Sequence, residues 1–264
     1  MGNTTNINNA PIGVIDSGIG GITVLRELLR TCPTEHFIYI GDDANSPYGT
    51  REKQEIQQLS LALANHPMFE GIKALLVACN TITAAALDSI KESLSVPVIG
   101  VIDGGVTETL NATTNLKVGI LATTATVESG IFETALHAAN ADVEVTSVGA
   151  PKMHEYAENN LDLVMNNPTH EIKQCVADYM QPFIDAGCDT ILMACTHFPP
   201  YEKLIDEIVG PDVNIVSPSK NTAEILRTML DSQAIASSQN SGFEIITTAG
   251  NDEKYAKFSE LILR

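Results

Sequence analysis

Two stretches decide the fold: Leu75-Leu76-Val77-Ala78-Cys79-Asn80-Thr81 and Ile191-Leu192-Met193-Ala194-Cys195-Thr196-His197. Each is an unbroken apolar run of strand length, ending in a cysteine followed by small polar residues of the kind that open a helix. A strand without polar alternation is buried on both faces, as in a parallel sheet covered by helices. The two cysteines lie 195 − 79 = 116 residues apart, close to the length of one small α/β domain. The chain therefore reads as two similar halves, each offering one thiol.

Working outward, comparable runs occur at 11–16 (P-I-G-V-I-D), 36–42, 97–103, 117–123, 143–148, 213–218 and 243–249, separated by longer segments of helical period. The expectation is an α/β protein of two pseudo-symmetric domains, each a mostly parallel sheet flanked by helices. Breaks between them are expected near 104–116 and near Gly210-Pro211. Ligands of such sheets bind at the carboxyl ends of the strands, so the strand ends carry the functional reading.

Composition narrows the partners. The 264 residues are 44% hydrophobic and 18% charged, as expected of a chain that folds around a core. Fifteen Lys and Arg against 33 Asp and Glu leave a net charge of −18, which repels phosphate backbones and acidic membranes. No run approaches the roughly 18 apolar residues needed to span a bilayer. The first ten residues have neither the basic start nor the apolar core of a signal peptide, so a cytoplasmic protein with a flexible N-terminal tail is expected. Five cysteines without C-x-x-C spacing suggest free thiols rather than disulfides or a zinc ribbon.

A thiol at a strand end that opens a helix sits where backbone N–H groups and the helix dipole favour a thiolate, so Cys79 and Cys195 suit a base or a nucleophile. For a lone cysteine, packing would be the ordinary explanation; the matched pair shifts the balance toward chemistry. Cys32, Cys175 and Cys188 lack that context and read as structural. Asp16-Ser17-Gly18-Ile19-Gly20-Gly21 ends the first strand but fails the dinucleotide spacing, because Thr23 stands where the last glycine belongs. Its glycines suit backbone N–H groups closing on a small anion, or simply a tight turn capped by Asp16. Tyr48 and Gly49 lie in a Pro-containing loop aimed at the cleft, or in a plain connection with Thr50 as helix cap. Thr123 and Thr126 supply hydroxyls or an N-cap cluster, and His197 either exchanges a proton or packs. No His and carboxylate spacing suggests a metal site, and no lysine lies in a strand-end motif to form a pyridoxal Schiff base. No cofactor is expected.

Taken in order, I-D-S-G-I-G-G at 15–21, G-D-x-x-x-x-P-Y-G at 41–49, A-C-N-T at 78–81, T-x-A-T-V-x-S-G at 123–130 and A-C-T-H at 194–197 resemble the cofactor-independent glutamate racemase family, from about Pro11 to about Pro200. The resemblance implies a first domain of residues 1–103 plus 211–264, a second of 104–210, and an active site in the cleft between them. It implies Cys79 and Cys195 on opposite faces of the substrate α-carbon, one as thiolate base and one as thiol acid, with Asp16 assisting Cys79 and His197 assisting Cys195. Substrate would be held by Asp16, Ser17, Tyr48, Gly49, Asn80, Thr81, Thr123, Thr126, Thr196 and His197, with Asp42 and Glu158 in support. At 151–158, P-K-M-H-E-Y-A-E makes Glu155 a rival to Glu158. The implied activity is interconversion of L- and D-glutamate for peptidoglycan synthesis, in a protein that binds small molecules and is a candidate homodimer. Racemisation of aspartate or a hydantoin, and an idle amino-acid-binding module, are the competing readings.

Overall fold

The computed structural model describes residues 7–238 and 241–264. The first half runs β1 (Ile12–Asp16), α1 (Ile22–Thr31), β2 (His36–Gly41), α2 (Lys53–Ala64), β3 (Ala74–Val77), α3 (Asn80–Ser93) and β4 (Val98–Ile99). The second continues with α4 (Ile102–Ala112), β5 (Lys117–Ala122), α5 (Thr124–Ser129), α6 (Ile131–Ala139), β6 (Glu144–Gly149), α7 (Pro151–Asn166), α8 (His170–Ala186), β7 (Thr190–Ala194), α9 (Glu202–Val209) and β8 (Asn214–Val216). The chain ends with α10 (Ser219–Ser232), β9 (Gly242–Thr247) and α11 (Asp252–Ile262).

The strands form two sheets, β4-β3-β1-β2-β9 and β6-β5-β7-β8, and every pairing is parallel. Read from the opposite edge, the first sheet contains β2-β1-β3-β4, the same order as β6-β5-β7-β8, so the duplicated cysteine motif ends equivalent strands. Parallel strands need helical crossovers, and these cover both faces of each sheet. Each face packs its own core: Leu25, Tyr39, Leu226 and Phe258 on one face of the first sheet, Ile40, Ile56, Leu75 and Ile82 on the other. In the second sheet Met153, Met180, Phe183 and Ile205 form one core, and Val118, Phe132, Leu136 and Leu192 the other.

Three boundaries differ from the sequence expectation. The 97–103 run is a strand only at 98–99; Ile102 and Asp103 already belong to α4. The glycines at 104 and 105, read as part of a connection, lie inside that helix. A side chain at Gly104 would come within 2.3 Å of Thr222 Oγ1, so the missing Cβ lets α4 and α10 pack closely. Finally, residues 211–216 do not return to the first sheet: β8 pairs with β7, and the return starts with α10, which packs on both α1 and α4.

Of the N-terminal stretch read as a flexible tail, residues 1–6 lie outside the described residues, whereas Ile7–Asn9 form a 3-10 turn whose Asn8 carbonyl accepts from Lys73 Nζ at 2.7 Å. All five cysteines are free. Among the described residues, no helix is long and apolar enough to cross a membrane.

Candidate active site

The residues singled out in the sequence gather where the carboxyl ends of the two sheets meet. Asp16 is the last residue of β1, and Cys79 follows β3 as N-cap of α3. Cys195 directly follows β7, and Thr123 follows β5, where it caps α5 by accepting from Thr126 N. Hydrogen bonds join the halves: Thr196 Oγ1 donates to Asp16 Oδ2 at 3.2 Å, Thr23 Oγ1 to the Thr196 carbonyl at 3.1 Å, and Ala125 N to the Gly49 carbonyl at 3.1 Å. Thr81 Oγ1 lies 2.9 Å from Thr123 Oγ1 and 3.3 Å from Thr126 Oγ1. The Gly18–Gly21 loop is closely packed. A Cβ on Gly20 would fall 2.5 Å from both His197 Nδ1 and Thr196 Oγ1, so glycine is what lets this loop touch the opposite half. Asp16, Ser17, Cys79, Asn80, Thr81, Thr126, Cys195, Thr196 and His197 are all buried.

On the first side, Ser17 Oγ lies 3.4 Å from Cys79 Sγ. Burial and the negative charge of Asp16 push the Cys79 thiol up to about 12, so this sulfur holds its proton at neutral pH. Burial also raises the Asp16 carboxyl to about 6, against the opposing pull of His197 and of the Gly18 N–H that donates to Oδ1 at 3.0 Å. Asp16 thus feels both thiol neighbourhoods.

On the second side, burial by itself would lower His197, but its hydrogen bonds to Cys195 and Glu158 prevail and raise it to about 10. His197 is an imidazolium at neutral pH. Its Nε2 meets Glu158 Oε2 at 2.6 Å, and Glu158 Oε1 accepts from Lys254 Nζ at 2.5 Å. Burial acts to raise Glu158, yet these two cations hold its carboxyl far below the ordinary range. His154, one turn earlier on α7, lies against His197 with ring centroids 4.0 Å apart and the rings tilted by 38°, and is pushed down to about 3 by burial and the neighbouring charge. Glu158, not Glu155, therefore faces the site; Glu155 is exposed. His197 was expected at a helix start, but the chain after Cys195 makes a turn and a short 3-10 segment before α9 begins at Glu202.

The nitrogen and oxygen atoms of His154, Glu158 and His197 lie within 4.8 Å of one another, a grouping with metal-ligand chemistry that the sequence reading passed over. His154 and Glu158 are spaced i,i+4 on one helix, which was the available signal. Both Glu158 oxygens are already taken by N–H donors, and two cations adjoin them, so the cluster is an ion-pair network rather than a cation site.

Other expected residues sit further back. The Tyr48 hydroxyl donates to Asp42 Oδ2 at 2.6 Å, and Asp42 also accepts from Asn45 and from Thr248 Oγ1. That loop continues to α2, whose N-cap is Glu52 and not Thr50. Asn80 Oδ1, beside Cys79, is buried without a hydrogen-bond partner, an acceptor open to a cationic donor. Sequence reasoning missed Lys254 and His154, and also Tyr39, whose hydroxyl donates to the Gly18 carbonyl at 2.6 Å and shapes the loop.

Comparison with known proteins gives the same picture. Residues 12–226 match the family model described as Asp/Glu/Hydantoin racemase. A glutamate racemase of Oceanobacillus iheyensis is 40% identical over 221 residues, covering 83% of this chain and 79% of the other. The crystal structure of a glutamate racemase from Bacillus anthracis superposes with a TM-score of 0.90 at 35% identity, covering 97% of this chain and 94% of that one. A glutamate racemase from Francisella tularensis in complex with D-glutamate gives 0.87 at 32% identity over 97% and 94%. With that match spanning most of its length and both strand-end thiols in place, the chain belongs to the Asp/Glu/hydantoin racemase family.

Proposed function

We propose that this protein interconverts L- and D-glutamate by two-thiol proton transfer without a cofactor. One observation carries the reading: two buried, free cysteines end equivalent strands of a duplicated fold, one beside an anion and the other beside a cation. In the L-to-D direction, the Cys195 thiolate, paired with the His197 imidazolium, takes the α-hydrogen. The Cα–H electron pair stays on carbon as the S–H bond forms, and the Cys79 thiol delivers its proton to the opposite face. The reverse direction exchanges the roles.

An amino-acid α-hydrogen is very weakly acidic, so the developing carbanion needs preorganised donors in a water-poor site. Ser17, Asn80, Thr81, Thr123, Thr126 and Thr196 supply hydroxyls and amides for the substrate carboxylates, and the open Asn80 Oδ1 suits the α-ammonium. Gly49 lends its loop backbone beside Thr123, while Tyr48 and Asp42 brace that loop. Local donors matter because the protein as a whole is strongly anionic. The product of such a reaction fits the supply of D-glutamate to peptidoglycan.

The test is polarimetry by circular dichroism with L-glutamate, D-glutamate and both aspartates, on protein treated with chelator and hydroxylamine. Racemisation of glutamate from either enantiomer is expected. Turnover of aspartate alone would shift the substrate, since one methylene is worth only about 1–3 kcal/mol. Activity restored only by zinc or pyridoxal phosphate would overturn the two-thiol chemistry.

A further inference from the structure

The ion pair between Lys254 and Glu158 is made by two residues at unfavourable helix positions. α7 departs from helical geometry at Asn160 (φ −141°, ψ 40°), so Glu158 lies in the last turn of a helical segment, where free carbonyls and the dipole repel a carboxylate. Lys254 lies in the first turn of α11, where the dipole repels a cation. Neither residue stabilises its own helix, and each compensates the other across the junction: α11 packs on α1 and β9 of the first half, while α7 belongs to the second. Glu158 spends one oxygen on Lys254 and the other on His197.

Resting on the two-thiol reading, we propose that Lys254 is a positioning residue for the reaction: by holding Glu158 Oε1 it orients Oε2 toward His197, and so holds the His197 ring against Cys195. The groups facing Glu158 are His197 from the turn after β7, Lys254 from α11, His154 from its own helix, and more distantly Asp16, Tyr39 and Tyr255 from the first half. Among these, Lys254 is the cation that reaches the carboxylate from the other half. Because its side chain is 40% exposed, it can be replaced without opening a core.

A double-mutant cycle separates orientation from docking of the helix. K254M should lower kcat about 10- to 100-fold, the scale for misplacing a catalytic group by up to about 1 Å, with a smaller change in KM. K254R should restore most of that loss. In the E158Q background, K254M should cost nothing further, because the residue acts through Glu158. Nitrogen NMR of His197 gives a readout independent of turnover: its resonance should move on K254M in the native background and stay put in E158Q. K254M within twofold of native kcat, or equal losses in both backgrounds, would overturn the proposal. A native protein without glutamate turnover would instead sink the proposed function, and the His197 resonance would still decide the coupling.

Discussion

Cys79 and Cys195 end equivalent strands, yet the chain leaves them differently. After Cys79 it enters α3 at once, so the cysteine stands at a helix N-terminus; after Cys195 it turns through Thr196 and His197, and α9 begins seven residues later. A helix N-terminus supplies partial positive charge, and the first half offsets it with the buried carboxyl of Asp16. The second half has no such helix beside its thiol and supplies a full cation instead, His197 braced by Glu158. The two cysteines thus follow equivalent strands, while the neighbouring segments give them opposite surroundings. An enzyme that must hold one proton and lack another at the same moment needs that inequality.

The largest effect tests the equivalence of the two sulfurs. C79S and C195S should each lower racemisation on the order of 10⁴-fold, since inversion needs a base on one face and an acid on the other. Proton NMR in deuterated water should then show slow α-hydrogen exchange without inversion for a single enantiomer, D-glutamate with Cys79 remaining and L-glutamate with Cys195 remaining. Exchange of the same enantiomer in both variants would break the facial assignment.

Smaller effects test the inequality. D16N and H197N should each lower kcat about 10- to 10⁴-fold, and each should erase a different limb of the pH profile. A required Asp16 carboxylate loses activity as pH falls through about 6, and a required His197 imidazolium as pH rises through about 10. D16N should remove the acid limb and H197N the alkaline one; removal of one limb by both would mean the two groups titrate as a single unit.

The same groups set the stability profile. His197 has a folded pKa above its unfolded value, so its contribution is fully present below pH 6.5 and is lost as pH rises toward about 10. Asp16 contributes with the same sign, present below pH 3.8 and lost as pH rises through about 6. Thermal unfolding should show Tm falling between pH 6.5 and 10, and falling less in H197N. An unchanged slope in that variant would remove His197 as the cause.

These expectations were legible in the sequence to the extent that they rest on strand ends. Period and repeat identified both sheets and put Asp16, Cys79, Thr123 and Cys195 at their carboxyl ends, because uniform apolar runs have one common structural solution. The exit from each strand was less legible. A-C-N-T and A-C-T-H look alike, and the local signal that separates them is Pro199-Pro200 just beyond the second, which opposes a helix directly after Cys195. Residues 211–216 pair in the second sheet although a domain boundary at 210 implies the first, because a strand of three residues carries little pairing information. Lys254 was invisible: it lies in no motif, and its partner is 96 residues away.

The smallest effect concerns the loops after the second strand of each half. Each half places a carboxylate beyond its second strand, Asp42 in the loop directly after β2 and Glu158 within α7 after β6. Glu158 reaches the site through His197, whereas Asp42 is spent on Tyr48, Asn45 and Thr248 and braces its own loop. Y48F removes one donor to Asp42 and leaves the others, a loss of about 1 kcal/mol for a single hydrogen bond. The ring stays in a buried core, so the fold is retained. A substrate contact made by the hydroxyl would instead be lost outright, raising KM with kcat unchanged. KM within about fivefold of native is therefore expected if Asp42 and Tyr48 only hold the loop. A rise of about 100-fold would mean that the hydroxyl leaves Asp42 for the substrate when the site is filled.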